Sequence, residues 1–323
     1  MTIEPRPPGL RAALTRRQLA ACATAALLAA PVAPARAQTA IKLGYTPVAV
    51  FASAFVAKEE GSFAKRGLDV SLVLLPSSST IPSAVMSGSV QVGAPTPSVM
   101  LQAVDGGLDV VALANAAVSP PDDGESALLV RADSPIKDAR ELAGKRVGVP
   151  GLNALLHVLL RRWMLDNGVD HRQVTFIEAP LPQMGDLLRG GSVDAVISAG
   201  PLKDNIIRGG VGRLLLPFGR GVPPGQTFGV YMATREWAQK NAATAKAFAE
   251  AIAEGAAYTR ANTEAARAHI GKYVRVPPPV LAAMNITPSD AVLTPAQLTW
   301  WIDEMRRQDM LRTAIDPARL IFR

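Results

Sequence analysis

Four short stretches put hydroxyls and backbone amides where an apolar strand turns into a helix: Tyr45-Thr46-Pro47, Ser77-Ser78-Ser79-Thr80, Thr96-Pro97-Ser98 and Gly151-Leu152-Asn153. The first amides of a helix have no partner inside it and carry partial positive charge, so they suit a carboxylate, sulfonate or phosphate. In open parallel sheets, ligands sit beyond the strand carboxyl ends, against such helix starts. The ligand-contact candidates here are Tyr45, Thr46, Ser77, Ser78, Ser79, Thr96, Ser98 and Asn153. His157, one turn beyond Asn153, joins them, as do Asp194 at a helix-to-strand turn and Gln226 and Thr227 ahead of a later apolar strand. Each has a plainer use: Ser79, Thr96 and Asn153 suit helix caps, Tyr45 a core aromatic, His157 a helix face and Asp194 a turn. Val48, Phe51 and Leu152 would suit a solute with an organic body. Arg131 and Arg220 lie outside the four stretches, so the solute's charge stays open.

No His–Cys, Ser–His–Asp or metal-spaced cluster occurs, and no H-E-x-x-H, P-loop or Rossmann fingerprint. No catalytic residue, metal or cofactor is therefore expected. The formal charge is +7, but the first 37 residues, with five arginines against one glutamate, contribute +4 and leave +3. That balance, without basic runs interleaved with aromatics, gives no ground for a nucleic-acid partner.

The elements that must hold the candidates repeat a scheme. Residues 41–45, 68–75, 90–93 and 108–114 read as strands, with helices over 48–58, up to 86 and up to 104. Residues 146–149, 174–177, 193–198 and 214–217 read as a second set of strands, with helices over 153–166, 183–188 and 201–207. Strand–helix alternation over short loops predicts parallel sheets with right-handed crossovers. The apolar runs 127–130 and 228–233 read as two crossings between lobes. The expected fold is α/β: two Rossmann-like lobes joined by two crossing segments, with 38–126 plus 233–323 as lobe 1 and 127–232 as lobe 2. Helices follow over 237–259 and 264–273, and Thr294-Pro295-Ala296-Gln297 has capping-box form for a last helix to about residue 307. These helices are expected to pack on the first lobe. A cleft between lobes is a favoured place for a small-molecule site.

Residues 1–37 read as an export signal. Arg16-Arg17 precede an apolar stretch over 19–30, and Ala35-Arg36-Ala37 offers small residues for cleavage. The paired arginines resemble the twin-arginine type, although the usual Phe is missing and a general secretory signal is the alternative. Leu19-Ala20-Ala21-Cys22 resembles a lipoprotein box, but most of the apolar run follows the cysteine. Cleavage near Ala37 leaves a chain without cysteine, hence without disulfides.

FVAKEEGSFAKRGLDV over 55–70, SPI at 134–136 with LAGKRVGV over 142–149, LRGGSVDA over 188–195 and WWID over 300–303 resemble, in order, the periplasmic solute-binding proteins for nitrate, sulfonate, taurine and thiamine precursors. The resemblance spans almost the whole mature chain. It implies a type II-like periplasmic binding protein fold, a monomer that closes on its solute, and delivery to the permease and ATPase of an ABC importer from the periplasm. It also places ligand loops at these strand ends. The alternatives are an enzyme of the same fold making a pyrimidine or quinone precursor, and a ligand-sensing subunit of a membrane receptor.

Overall fold

The computed structural model describes residues 38–121, 126–274 and 276–323. The expected export signal, with Cys22, lies outside the described residues. The chain opens with strand β1 (Thr39–Tyr45), helix α1 (Ala52–Glu59), β2 (Leu68–Leu74), α2 (Ile81–Met86), β3 (Val92–Gly93), α3 (Pro97–Asp105) and β4 (Val110–Val118). A second set follows: β5 (Ser126–Arg131), β6 (Arg146–Val149), α4 (Leu155–Asp166), β7 (Thr175–Glu178), α5 (Met184–Arg189), β8 (Ala195–Ala199), α6 (Gly200–Arg208) and β9 (Gly212–Pro217). Strand β10 (Thr227–Thr234) precedes the closing helices α7 (Arg235–Lys240), α8 (Ala242–Ala261), α9 (Thr263–Gly271), α10 (Pro278–Ala283) and α11 (Pro295–Arg307).

Two five-stranded sheets result, ordered β2-β1-β3-β10-β4 and β7-β6-β8-β5-β9. Each defines one lobe. The β–α–β units pair in parallel, β1 with β2 and β3, and β6 with β7 and β8. One strand in each sheet runs the other way. β10 is antiparallel to β3 and β4, and β5 is antiparallel to β8 and β9. The sheets are therefore mixed, where alternation alone predicts parallel ones. The reversed strands are the two apolar runs read as crossings. Each enters its sheet directly from the other lobe, without a helix to turn the chain round, so it arrives antiparallel. The passages lie just before them, between Val118 and Ser126 and between Pro217 and Thr227. They are stitched together: Ser119 N–H donates to Gln226 O at 2.7 Å, and Gln226 N–H donates to Ser119 Oγ at 2.9 Å.

Local signals are realised closely. Gly61 ends the α1 segment with φ 71°, a backbone state glycine adopts without cost. Thr294 Oγ1 accepts from Gln297 N–H while Gln297 Oε1 accepts from Thr294 N–H, a complete capping box for α11. The long helix expected over 237–259 is broken at Asn241 into α7 and α8.

The closing helices complete the first lobe. Phe248, Ala251 and Ile252 of α8 pack with Phe51, Phe55 and Ala57 in one apolar cluster. At the α1–α8 crossing a Cβ on Gly255 would stand 2.2 Å from Ser53 O. Backbone cannot yield there as a side chain can, so Gly255→Ala is expected to lower unfolding free energy by about 1–3 kcal/mol in urea denaturation. An unchanged midpoint would show that the helices can part at no cost. A second cluster runs from Val230 and Met232 of the first sheet through Met100, Trp301 and Met305 into Leu155, Leu128 and Val147 of the second lobe. Polar contacts support this seam: Arg161 donates to Gln308 O at 2.7 Å, and Arg162 pairs with Glu304 at 3.1 Å. One side of the interlobe space is thus closed by α4 against α11.

Candidate functional site

A cavity of about 980 Å³ lies between the lobes, at the carboxyl ends of the parallel strands. The first lobe supplies Thr46–Phe51 after β1, Leu74 and Pro76–Ser78 after β2, and Thr96 after β3. The second supplies Pro150 after β6, Pro180–Pro182 after β7 and Ala199–Leu202 after β8. Ser126 and Phe228 line it at the starts of the exchanged strands.

Of the residues singled out in the sequence, Thr46, Ser77, Ser78 and Thr96 are on this wall. Ser78 Oγ accepts from Thr96 N–H at 3.0 Å, so its own proton stays available to a neighbour. Thr96 Oγ1 lies 3.1 Å from Ser98 Oγ, which is fully buried behind the wall. Ser79 is turned across the cleft, its hydroxyl donating to Glu178 at 2.8 Å. Tyr45 packs edge-on against Phe55 and Tyr273, at 5.1 and 6.2 Å between ring centroids. None of Tyr45, Ser98, Asn153, His157, Asp194, Gln226 or Thr227 is on the wall.

The latter five have structural partners. Asn153 takes a left-handed backbone, φ 61°, and its N–H donates to His157 Nδ1 at 2.8 Å. His157 is 3% exposed, and burial, then the positive charges of Arg161 and His171, push its pKa down to about 3. Its ring is neutral and closes the turn into α4. Asp194 accepts from Arg146 N–H at 2.8 Å, pinning β6 to β8. Gln226 belongs to the stitched passages, and Thr227 donates to Asn115 Oδ1 at 2.7 Å in the core.

Three groups on or at the wall carry little or no sequence signal. The apolar side chains of Val50, Leu155, Leu156, Leu181 and Leu202 give the cavity its oily character. Val276 and Met284–Ser289 form another wall, although they are remote in sequence from every strand end. Arg260 and Arg267 reach it from α8 and α9, and each donates to backbone carbonyls within residues 281–289. Arg260 donates to Ser289 O at 2.7 Å, and Arg267 donates to Leu281 O at 3.0 Å and to Met284 O. The third is Glu178, at the end of β7. Burial acts to raise its pKa, but the hydroxyl of Ser77, the N–H of Leu152 and the hydroxyl of Ser79 outweigh it and hold the carboxyl below the usual range.

Among the described residues no group of three His, Cys, Asp or Glu side chains could hold a metal, and no helix is long and apolar enough to cross a membrane. What the arrangement can do is enclose a small molecule, with helix starts, hydroxyls and an apolar lining.

Two mixed α/β lobes around such a cleft are the architecture of the periplasmic binding protein fold. Residues 48–266 match the model of the NMT1/THI5-like family, and the chain belongs to that family. A "Putative aliphatic sulfonates-binding protein" of Escherichia coli (strain K12) is 28% identical over 261 residues, covering 78% of this chain and 77% of that protein. The alkanesulfonate-binding protein SsuA of Xanthomonas axonopodis pv. citri, solved bound to MOPS, superposes with a TM-score of 0.72 at 20% identity, over 88% of this chain and 98% of that one. The periplasmic nitrate-binding protein NrtA of Synechocystis PCC 6803 superposes with a TM-score of 0.68 at 18% identity, over 87% and 84%.

Proposed function

We propose that the protein is an exported solute-binding protein. It captures a small organic or inorganic anion, of the sulfonate, nitrate or taurine kind, or a heterocyclic solute between its lobes. It then presents that solute to the permease of an ABC importer, acting as a monomer in the periplasm after cleavage near Ala37. The observation that carries this reading is the cavity of about 980 Å³ walled by strand ends of both lobes. Its ligand-contact set is Thr46, Ser77, Ser78 and Thr96 with the first turn of α6, whose cap residue, Ala199, offers no side-chain hydrogen bond. The relatives named for sulfonates and nitrate support the solute class, and their names as binding proteins support capture without turnover.

The experiment is a thermal-shift screen of the chain from Gln38 onward with sulfonates, nitrate, aromatic carboxylates and pyrimidines, since a ligand stabilises the form it binds. One class is expected to raise the Tm and to bind with about micromolar affinity in calorimetry, a free energy near −8 kcal/mol. Chemical conversion of a stabilising compound by the purified protein would overturn capture in favour of an enzyme.

A further inference from the structure

Glu178 stands where the two lobes' polar loops meet. Its Oε1 accepts from Ser79 Oγ of the first lobe at 2.8 Å, across 99 residues of sequence. Its Oε2 accepts from Leu152 N–H at 2.7 Å, in the turn that leads into α4. These are two of the donor stretches that residue types alone mark for an anion, and the chain's own carboxylate occupies them. The consequence reaches the cavity through Ser77. Ser77 Oγ lies 2.7 Å from Ser79 Oγ and is on the cavity wall. A hydroxyl has one proton, and that of Ser79 goes to Glu178. The Ser77–Ser79 bond must then use the proton of Ser77, or Ser77 gives that proton to the carboxylate directly. Either way Ser77 turns lone pairs, with no free proton, towards the solute. An anionic oxygen placed there meets another acceptor and, behind it, a negative charge. An amine or amide N–H meets an acceptor.

Resting on the reading of the cleft as a solute site, we propose that Glu178 is the residue that determines which solutes it accepts. By claiming the protons of Ser77 and Ser79 it makes this end of the cavity a hydrogen-bond acceptor. Among the solute classes proposed above, the site then favours the heterocyclic or amine-bearing kind, which offers an N–H here and carries an apolar body against Val50, Leu155 and Leu202, over a plain sulfonate whose head would meet this acceptor.

The test is calorimetry of wild type, Glu178→Gln and Ser79→Ala with three probes of one chain length: hexane-1-sulfonate, hexanamide and hexylammonium. Wild type is expected to hold the amide or the ammonium more tightly than the sulfonate. Glu178→Gln removes the charge and adds an N–H donor beside Ser77, so it is expected to shift the sulfonate-to-amide affinity ratio at least tenfold towards sulfonate. Ser79→Ala keeps the carboxylate, to which Ser77 then donates directly, and is expected to shift it less. Two variants that remove different partners guard against one failing to fold. A ratio unchanged within twofold, with all affinities weakened together, would show a bridge between lobes with no part in selection, and would overturn the assignment. Equal binding of sulfonate by wild type and Glu178→Gln would overturn it too, leaving solute capture intact. Binding of no probe by any of the three proteins would overturn solute capture and this assignment together.

Discussion

Ala199→Trp is expected to weaken solute binding at least a hundredfold, about 2.7 kcal/mol, with little change in Tm. Ala199 ends β8, pairs with Ser126, and both residues line the cavity. Its backbone is extended, φ −147° and ψ 157°, so a larger L residue fits without strain. An indole there projects into the space between the lobes, and the first turn of α6 follows immediately. The ring removes volume a solute needs and stands between walls that must approach one another on closure. Stability is spared because the added atoms enter the cavity and leave packed core undisturbed. Calorimetry with whatever compound the thermal-shift screen identifies reads the loss. Full affinity in a normally folded variant would mean that the solute sits elsewhere.

The second large effect is on acid stability. The neutral ring of His157 accepts from Asn153 N–H through Nδ1, so its single proton is on Nε2. Taking a second proton means breaking that bond and burying a charge near Arg161, and the folded-state pKa is accordingly about 3. In the unfolded chain a histidine titrates near 6.5. A folded pKa below the unfolded one means that the unfolded state binds more protons between these values. Stability from this group is complete above about pH 6.5 and is lost as pH falls towards 3. One pKa unit is about 1.4 kcal/mol, so roughly 2–3 kcal/mol should disappear between pH 7 and 4.5. His157→Gln retains an acceptor and has no such titration. In chemical denaturation at both pH values, wild type should lose about 2–3 kcal/mol more than the variant. Parallel losses in the two proteins would show that the ring becomes charged at no penalty.

Taken together, the cleft residues show how far residue types lead. Thr46, Ser77, Ser78 and Thr96 were legible because a hydroxyl at a strand-to-helix turn has few other places to go once the strand is in a sheet. Asn153 and His157 carry the same surface signs, yet they satisfy each other four residues apart and neither is on the cavity wall. A helix start looks alike in sequence whether it feeds a ligand or its own side chain. Glu178 was passed over because a carboxylate at a strand end signals nothing until Ser79 and Leu152 are brought to it.

By itself the sequence determined what is decided within a few residues. That includes most strand and helix positions, the left-handed Gly61, the Thr294–Gln297 capping box and the two-lobed α/β class. Such features depend on backbone conformation and on hydrogen bonds spanning three or four positions, so composition and spacing carry them. Only the tertiary structure decided that the two crossing runs, β5 and β10, join their sheets as antiparallel strands, that Val276 and Met284–Ser289 wall the cavity, and that a carboxylate joins the lobes. The reason is physical: a strand buried on both faces, as β10 is, reads as a featureless apolar run. Which neighbours it pairs with is then settled by packing between segments about a hundred residues apart, and that choice leaves no periodic trace along the chain.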